Sequence, residues 1–527
     1  MKRSLSFILV LCMLLSTLML CACPAPDDGG STTTTTGGGQ EGPTPSPWAD
    51  RLDTEAVKKE IGGGELVVSC FERYLYEIYA EEDSKDTLDQ LIYKRNKKIE
   101  ERFAVTIKPN ETKSTGINDS SSHREYVKTE LCSLDPKFDL LMMMASASGR
   151  LIEHYHDWKA TVPYARDSLA AGDAWWSAQI NRNSTVKGRM FVAVSDMCIT
   201  LTDLSFGVMF NQSLVNEYNL VESYAAKVEA DYKTMYDIVN AGDWTLDSVK
   251  MMTKDLWIDN EQIGKSGAVD EEDIIGFYTV SGMELDNFFC SFGFTYLEND
   301  GVSDPTLWRH PSTFEQAVAD LRSFFGESRG ARLSRDFSWD LEERLVAFAE
   351  GHVFFMTAHL DRLQTATVKG MEQDYGILPY PKLNRDQAEY LTGCADNLTV
   401  LSVPRYIIGK RLKRAGAMTV ALSAENSKSV NEPYYEMIVK HDSGFVNRED
   451  IDMLERIAAG RVHELAVYHY DDLIFDADNT HGTLGLYLRY LIMDRPTASP
   501  AGVWSEARDV IEGKLDELIR TYQDLPG

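Results

Sequence analysis

The chain has 527 residues, more than one hydrophobic core usually serves, and its 43% hydrophobic and 10% aromatic content belongs to a globular protein rather than a disordered one. Its formal charge of -29 excludes nucleic acid and anionic lipid as partners held by a broad electrostatic mechanism. Beyond residue 23 the cysteines are Cys70, Cys132, Cys198, Cys290 and Cys394; they are far apart, odd in number and without a C-x-x-C pair, which supports neither a zinc site nor a disulfide framework.

The chain begins with a basic pair, Lys2 and Arg3, and an apolar run over 5–20 that falls short of the ~20 residues needed to span a bilayer. The run ends in Leu20-Cys21-Ala22-Cys23, which resembles a bacterial lipobox. That resemblance implies a signal peptide over 1–22 and a diacylated Cys23. Residues 23–62 read as a flexible tether, with threonines at 32–36, glycines at 37–39 and prolines at 43, 45 and 47.

The folded part opens at 65–71, an apolar run of the kind that forms a buried parallel strand. A helix over 87–103, a strand over 104–107, a helix over 125–134 and a strand over 138–144 follow, the last ending in Ala-Ser-Ala-Ser-Gly at 145–149. Strand and helix in alternation predict a wound α/β sheet with ligands at the carboxyl ends of its strands. Two strand-like runs at 191–194 and 205–210 flank a polar stretch, where the chain leaves one sheet for another. Helices are expected over 223–241 and over 246–256, the latter capped by Thr245. A strand over 273–280, helices over 285–292, 314–325 and 340–350, a strand over 353–356 and an extended run over 375–382 come next. A second extended pair, 390–394 and 398–403, reads as the return crossing. Helices over 411–423, 432–439, 450–459, 484–493 and 504–522 finish the chain.

No G-x-S-x-G elbow, phosphate loop or H-E-x-x-H zinc helix is present. His463-Glu464 with His469 has the wrong spacing for two ligands on one helical face, and His154-x-His156-Asp157 reads as surface or packing. The stretch 476–482 is similar to a calcium loop, but its glycine falls one place late and Tyr487 stands where a bidentate Glu belongs, so no metal or cofactor is assigned. Trp175, Trp176, Trp244 and Trp339 suit a cleft that stacks sugar rings. Trp244, just before a helix cap, reads as packing. On a regular element adjacent Trp175 and Trp176 point in opposite directions, which sends one of them toward the cleft.

Lipobox, tether, α/β lobe, double crossover and acidic surface together resemble the bacterial extracellular solute-binding lipoproteins of ABC importers, in the family 1-like class that contains carbohydrate binders. The local matches are AWW at 174–176, DWTLDSV at 243–249, FAEGHVFF at 348–355 and YGILPYPK at 375–382, with Gln387 and Tyr390 after it. The resemblance implies a type II periplasmic-binding-protein-like α/β fold: two lobes joined by hinge strands, with the ligand cleft between them. Lobe one would hold 65–196 and 392–440, lobe two 204–390 and 441–500, and a C-terminal helix 501–527. By position it implies ligand contacts from Phe71, Glu72, Tyr74, Ser146, Ser148, Trp176, Asp203, Trp339, His359, Asp361, Asp396 and Asn397. It further implies a monomer without catalytic residues, lipid-anchored through Cys23 at the extracytoplasmic face. Such a protein closes on a small solute, with carbohydrate favoured, and passes it to ABC permease transmembrane subunits. The other readings are a peptide or metabolite binder, a surface glycosidase or esterase whose carboxylate pair would hide among 82 acidic residues, and a binder feeding a sensor kinase or an adhesin.

Overall fold

The computed structural model describes residues 48–526 apart from 114–120, 134–135, 261–266, 268, 443, 445, 470–472 and 474–483. The signal with Cys23, the tether as far as residue 47 and the calcium-like stretch 476–482 lie outside the described residues.

β1 (Gly64–Phe71) leads through a single 3-10 turn to α1 (Thr87–Phe103). Asp86 caps α1 by accepting from Asp89 N, and Leu88, Ile92, Ile99 and Phe103 form its buried stripe. Ala104, in the left-handed region at φ 52°, turns the chain into β2 (Val105–Thr112). Then come β3 (Leu140–Met144), β4 (Phe206–Asn211), β5 (Ile274–Thr279), β6 (Val353–His359), β7 (Tyr375–Leu378) and β8 (Thr399–Ser402). The first sheet has the order β2-β1-β3-β8, parallel except for the returning β8. The second has the order β7-β4-β6-β5, with β6 parallel to β5 and β4 antiparallel to both of its neighbours. Two short strands, Trp257–Ile258 and Ala331–Leu333, continue it beside β5. β3 and β6 are buried along their whole length, as strands covered on both faces must be.

The helices that position the cleft are α2 (Met283–Ser291) on the second sheet, α3 (Gly409–Ser429) on the first, and α4 (Asn431–Val439) beyond it. Among the described residues the chain crosses between the lobes in two antiparallel runs, with bridges Ala193↔Leu401 and Ser205↔Cys394. It crosses again after α3, where Tyr434 of α4 accepts a hydrogen bond from Gln364 Nε2 at 2.8 Å. The segment after that also turns back: Arg461 and Val462 pair with Thr392 and Gly393, and the Tyr468 carbonyl lies so near Gly149 that any side chain there would collide with it. The last helix, α5 (Pro500–Asp524), touches both lobes. Trp504 at its start packs 5.6 Å from Trp308, and Tyr522 at its end packs 5.4 Å from Phe191.

Two expectations change in an instructive way. The expected strand at 191–194 is a single bridge, and the polar stretch after it forms a helical turn at Thr200–Asp203, because the buried Glu77 takes both the N–H and the hydroxyl of Thr200. The single helix expected over 223–241 is two, Leu220–Val228 and Met235–Asn240, separated where Glu229 adopts φ 56° and where Thr234 and Asp237 form a capping box. Thr245 does cap the next helix, accepting from Ser248 N at 3.3 Å while Ser248 Oγ accepts from Thr245 N at 2.8 Å. Thr245→Ala should therefore lower the unfolding free energy in urea by about 1 kcal/mol without changing the slope. All five described cysteines are free; Cys132 is exposed, whereas Cys70, Cys198 and Cys394 are buried as small apolar residues. Among the described residues no helix is long and apolar enough to cross a membrane.

Candidate functional site

The carboxyl ends of β1, β3 and β6 and the start of the return crossing converge between the two sheets. Four groups there are buried without a hydrogen-bond partner among the described residues: the Tyr74 hydroxyl, both ring nitrogens of His359, Asp361 Oδ1 and Asn397 Oδ1. Buried polar groups are almost always paired, so a cluster of unpaired ones marks a place where something else supplies the partners. Tyr74 is 3% exposed and His359 7%.

Charge ties these residues into one site. Burial pushes the Tyr74 hydroxyl up, and the carboxylates of Asp396 and Asp361 push the same way. Burial, with the guanidinium groups of Arg362, Arg344 and Arg73, drives His359 down to about 3, so its imidazole is neutral and offers one donor and one acceptor. Its ring lies 4.7 Å from that of Phe206. Asp361 Oδ1 sits 3.5 Å from Arg362 Nε, and burial still raises its carboxyl. Asp396 is raised in the same way, its backbone carbonyl accepting from Ser146 N at 3.1 Å. Ser146 and Asp396 thus join the end of β3 to the return crossing.

Two cavities flank this centre. One, of about 490 Å³, is lined by Arg73, Tyr74, Tyr76, Asp203, Asp361 and Tyr434 among others. The other, of about 260 Å³, lies beside α2 and the return crossing and includes Phe206, Asp286, Asp396, His463, Glu464 and Arg489. Between the lobes Asp203 accepts from Tyr76 at 2.6 Å and from Tyr434, with burial pushing it up to about 6. Behind it, Glu77 is fully buried and its Oε1 accepts from Thr200 N at 2.8 Å and from the hydroxyls of Thr200 and Thr399, both at 2.9 Å. One carboxyl therefore ties the helical turn of the first crossing to β8 after the return crossing, and burial pushes it up to about 7.

The residues singled out in the sequence divide accordingly. Tyr74, Ser146, His359, Asp361, Asp396 and Asn397 come together at the centre, and Asp203 borders it with both carboxylate oxygens engaged by tyrosines. Glu72 is exposed at the mouth of the β1 turn. The other four make their contacts elsewhere. The Phe71 ring packs on Tyr74 and His123, at 6.0 and 6.2 Å. Ser148 faces Ser402 Oγ at 3.4 Å inside lobe one. Trp339 lies 4.5 Å from Phe337 and 5.2 Å from Tyr278. Trp176 donates to Ser168 Oγ at 2.9 Å, stands 6.1 Å from Trp158 and lines a cavity of its own, of about 350 Å³, with Asn181 and Gly301. Trp175 is buried as well, at 7% exposure, because this stretch is a turn and not a regular element with opposed faces. Trp244 is packing, fully buried with its indole N–H donating to Pro379 O at 2.8 Å. Glu77, Tyr76, Tyr434, Asp286 and Arg489 were not anticipated. The signal for Glu77 was an acid set among Tyr74, Leu75, Tyr76, Ile78 and Tyr79.

No family model matches this sequence, and no curated protein matches it. Solved structures do match. UspC of M. tuberculosis aligns with a TM-score of 0.50 at 11% identity, over 85% of this chain and 100% of its own. A family 1 extracellular solute-binding protein from Bifidobacterium longum subsp. infantis gives 0.49 at 11% identity, over 87% and 100%. A sugar transporter from Rhizobium etli in an open conformation gives 0.49 at 12% identity, over 88% and 100%. Likeness at these identities concerns the fold alone. The chain has a two-lobed α/β fold similar to that of UspC, with its cleft at the strand ends between the lobes.

Proposed function

We propose that this protein is the solute-binding component of an ABC importer, capturing a small solute, favoured to be a carbohydrate, in the cleft between its lobes and delivering it to a membrane permease. The observation that carries this reading is the set of unpartnered, buried groups at Tyr74, His359, Asp361 and Asn397. The neutral Tyr74 hydroxyl, His359 ring and Asn397 amide oxygen, with the Asp361 carboxyl beside Arg362, offer donors and acceptors at fixed positions that match the hydroxyls of a sugar, and pairing them favours closure around a ligand. The crossings between the lobes permit a hinge, and closure worth only a few kcal/mol keeps release possible. Anchoring through Cys23 would confine the protein near its transporter, so Cys23→Ala should release it from membranes with ligand affinity intact.

The reading is tested by thermal shift and small-angle scattering across a glycan panel and a peptide panel. A glycan that raises Tm and contracts the radius of gyration supports it. Response to peptides alone would reassign the ligand, and no response to either panel would remove the transport reading.

A further inference from the structure

The cavity of about 260 Å³ beside α2 carries an unbalanced charge. Asp286, Asp396 and Glu464 line it, and Arg489 is the one guanidinium among its lining residues. Arg489 is paired with Asp286. No ion pair forms at Asp396 or Glu464 among the described residues. His463, 2% exposed, turns its ring into the same space; neither nitrogen meets a partner in hydrogen-bonding geometry, although the Cys394 backbone lies beside it. Burial holds that ring down at about 4, so it supplies no positive charge. Buried carboxylates are stable as anions when they face a cation, and among the described residues no cation is paired with Asp396 or Glu464.

We propose, building on the carbohydrate reading, that the solute carries a protonated amine, as an amino sugar does, and that its ammonium sits in this cavity against Asp396 and Glu464. The size suits one ring of a saccharide, at the lower end of ligand pockets. The formal charge of -29 favours approach of cationic over anionic solutes to the protein as a whole.

The proton balance follows from the groups that face each carboxyl. Burial raises Asp286 to about 6 against the pull of Arg489, with Glu284 acting to raise it further. Burial raises Glu464 to about 7 against the hydrogen bonding of Thr295 and the backbone of Tyr296 and Leu297. Asp396 is raised by burial, with Arg489 and the local backbone opposing. Cys290 and Tyr296 face the same carboxylates and stay protonated. An entering ammonium favours the ionised forms, so binding should release protons and strengthen as the pH rises from 5.5 to 7.

The experiment is calorimetric titration of the whole protein with chitobiose bearing free amines, with its N,N′-diacetyl form and with maltose, at pH 5.5 and pH 7 in buffers of different ionisation heat. The expected result is at least tenfold tighter binding of the amine at pH 7, a smaller advantage at pH 5.5, and net proton release. Asp396→Asn and Glu464→Gln, each checked for native circular dichroism, should cut the preference for the amine to below threefold. If the acetylated sugar or maltose binds as tightly as the amine, or if the preference survives both substitutions, the amine site is wrong while the carbohydrate reading stands. If no saccharide of either kind binds, both are wrong.

Discussion

Glu77→Ala is expected to lower the unfolding free energy by about 2–4 kcal/mol, measured in urea, because it leaves the Thr200 N–H and one threonine hydroxyl without an acceptor in a dry interior, the Thr200 and Thr399 hydroxyls having only each other, at 2.7 Å. Thr200 N, Thr200 Oγ1 and Thr399 Oγ1 all point at Glu77 Oε1, the first two from the helical turn of the outgoing crossing and the third from the start of β8. Glu77→Gln keeps the accepting oxygen and should lose far less. It should also change the pH dependence. The carboxyl is raised by burial from 4.5 to about 7 in the folded protein, so the folded state binds the proton more tightly than the unfolded chain does. Its contribution to stability is therefore fully present below about pH 4.5 and is lost as the pH rises through 7. Tm of the native protein should fall over that window, and Glu77→Gln should flatten the fall. It will not remove it, since Asp450 and Glu464, both raised to about 7 by burial, contribute the same sign. An unchanged slope in Glu77→Gln would show that the carboxyl is ionised throughout.

The second large effect separates binding from stability. His359→Phe replaces a buried imidazole with no hydrogen-bond partner by a ring of similar shape against Phe206, so the free protein should become equally stable or more stable. Ligand affinity should fall by about tenfold to a hundredfold, as one or two hydrogen bonds to the solute are lost. Tyr74→Phe should act in the same direction with about a tenfold loss, its hydroxyl likewise being unpaired. Opposite signs in thermal shift without ligand and in titration with ligand identify a group kept for the solute. A loss of stability in the free protein would assign either residue to packing instead.

Much of the architecture was legible because it rests on local signals. The helix over 87–103 follows from the spacing of Leu88, Leu91, Ile92, Ile99 and Phe103, and its bounds in the structure are the same. Tyr74, His359, Asp361 and Asp396 came from the family resemblance by position, and the fold brings them near one another. Tryptophan was a poorer guide. Whether an indole faces a cleft depends on what its N–H finds, and Trp176 finds Ser168 eight residues upstream. Glu77 was missed for the converse reason: its meaning depends on Thr200 and Thr399, which only the fold brings together. The break at Glu229 was missed although Thr234 and Asp237 spell out a cap, because the apolar spacing on either side stays nearly in phase.

The return of the chain also sets an order of assembly. β3 is complete at residue 144, yet its edge partner β8 begins only at Thr399, and α5, which rests on both lobes, follows only at Pro500. Until that late strand arrives, β3 presents an open, wholly apolar edge able to pair with another chain. Completion of the first lobe thus waits on a contact between Met144 and Thr399, about 255 positions apart, a long-range closure of the kind that slows folding.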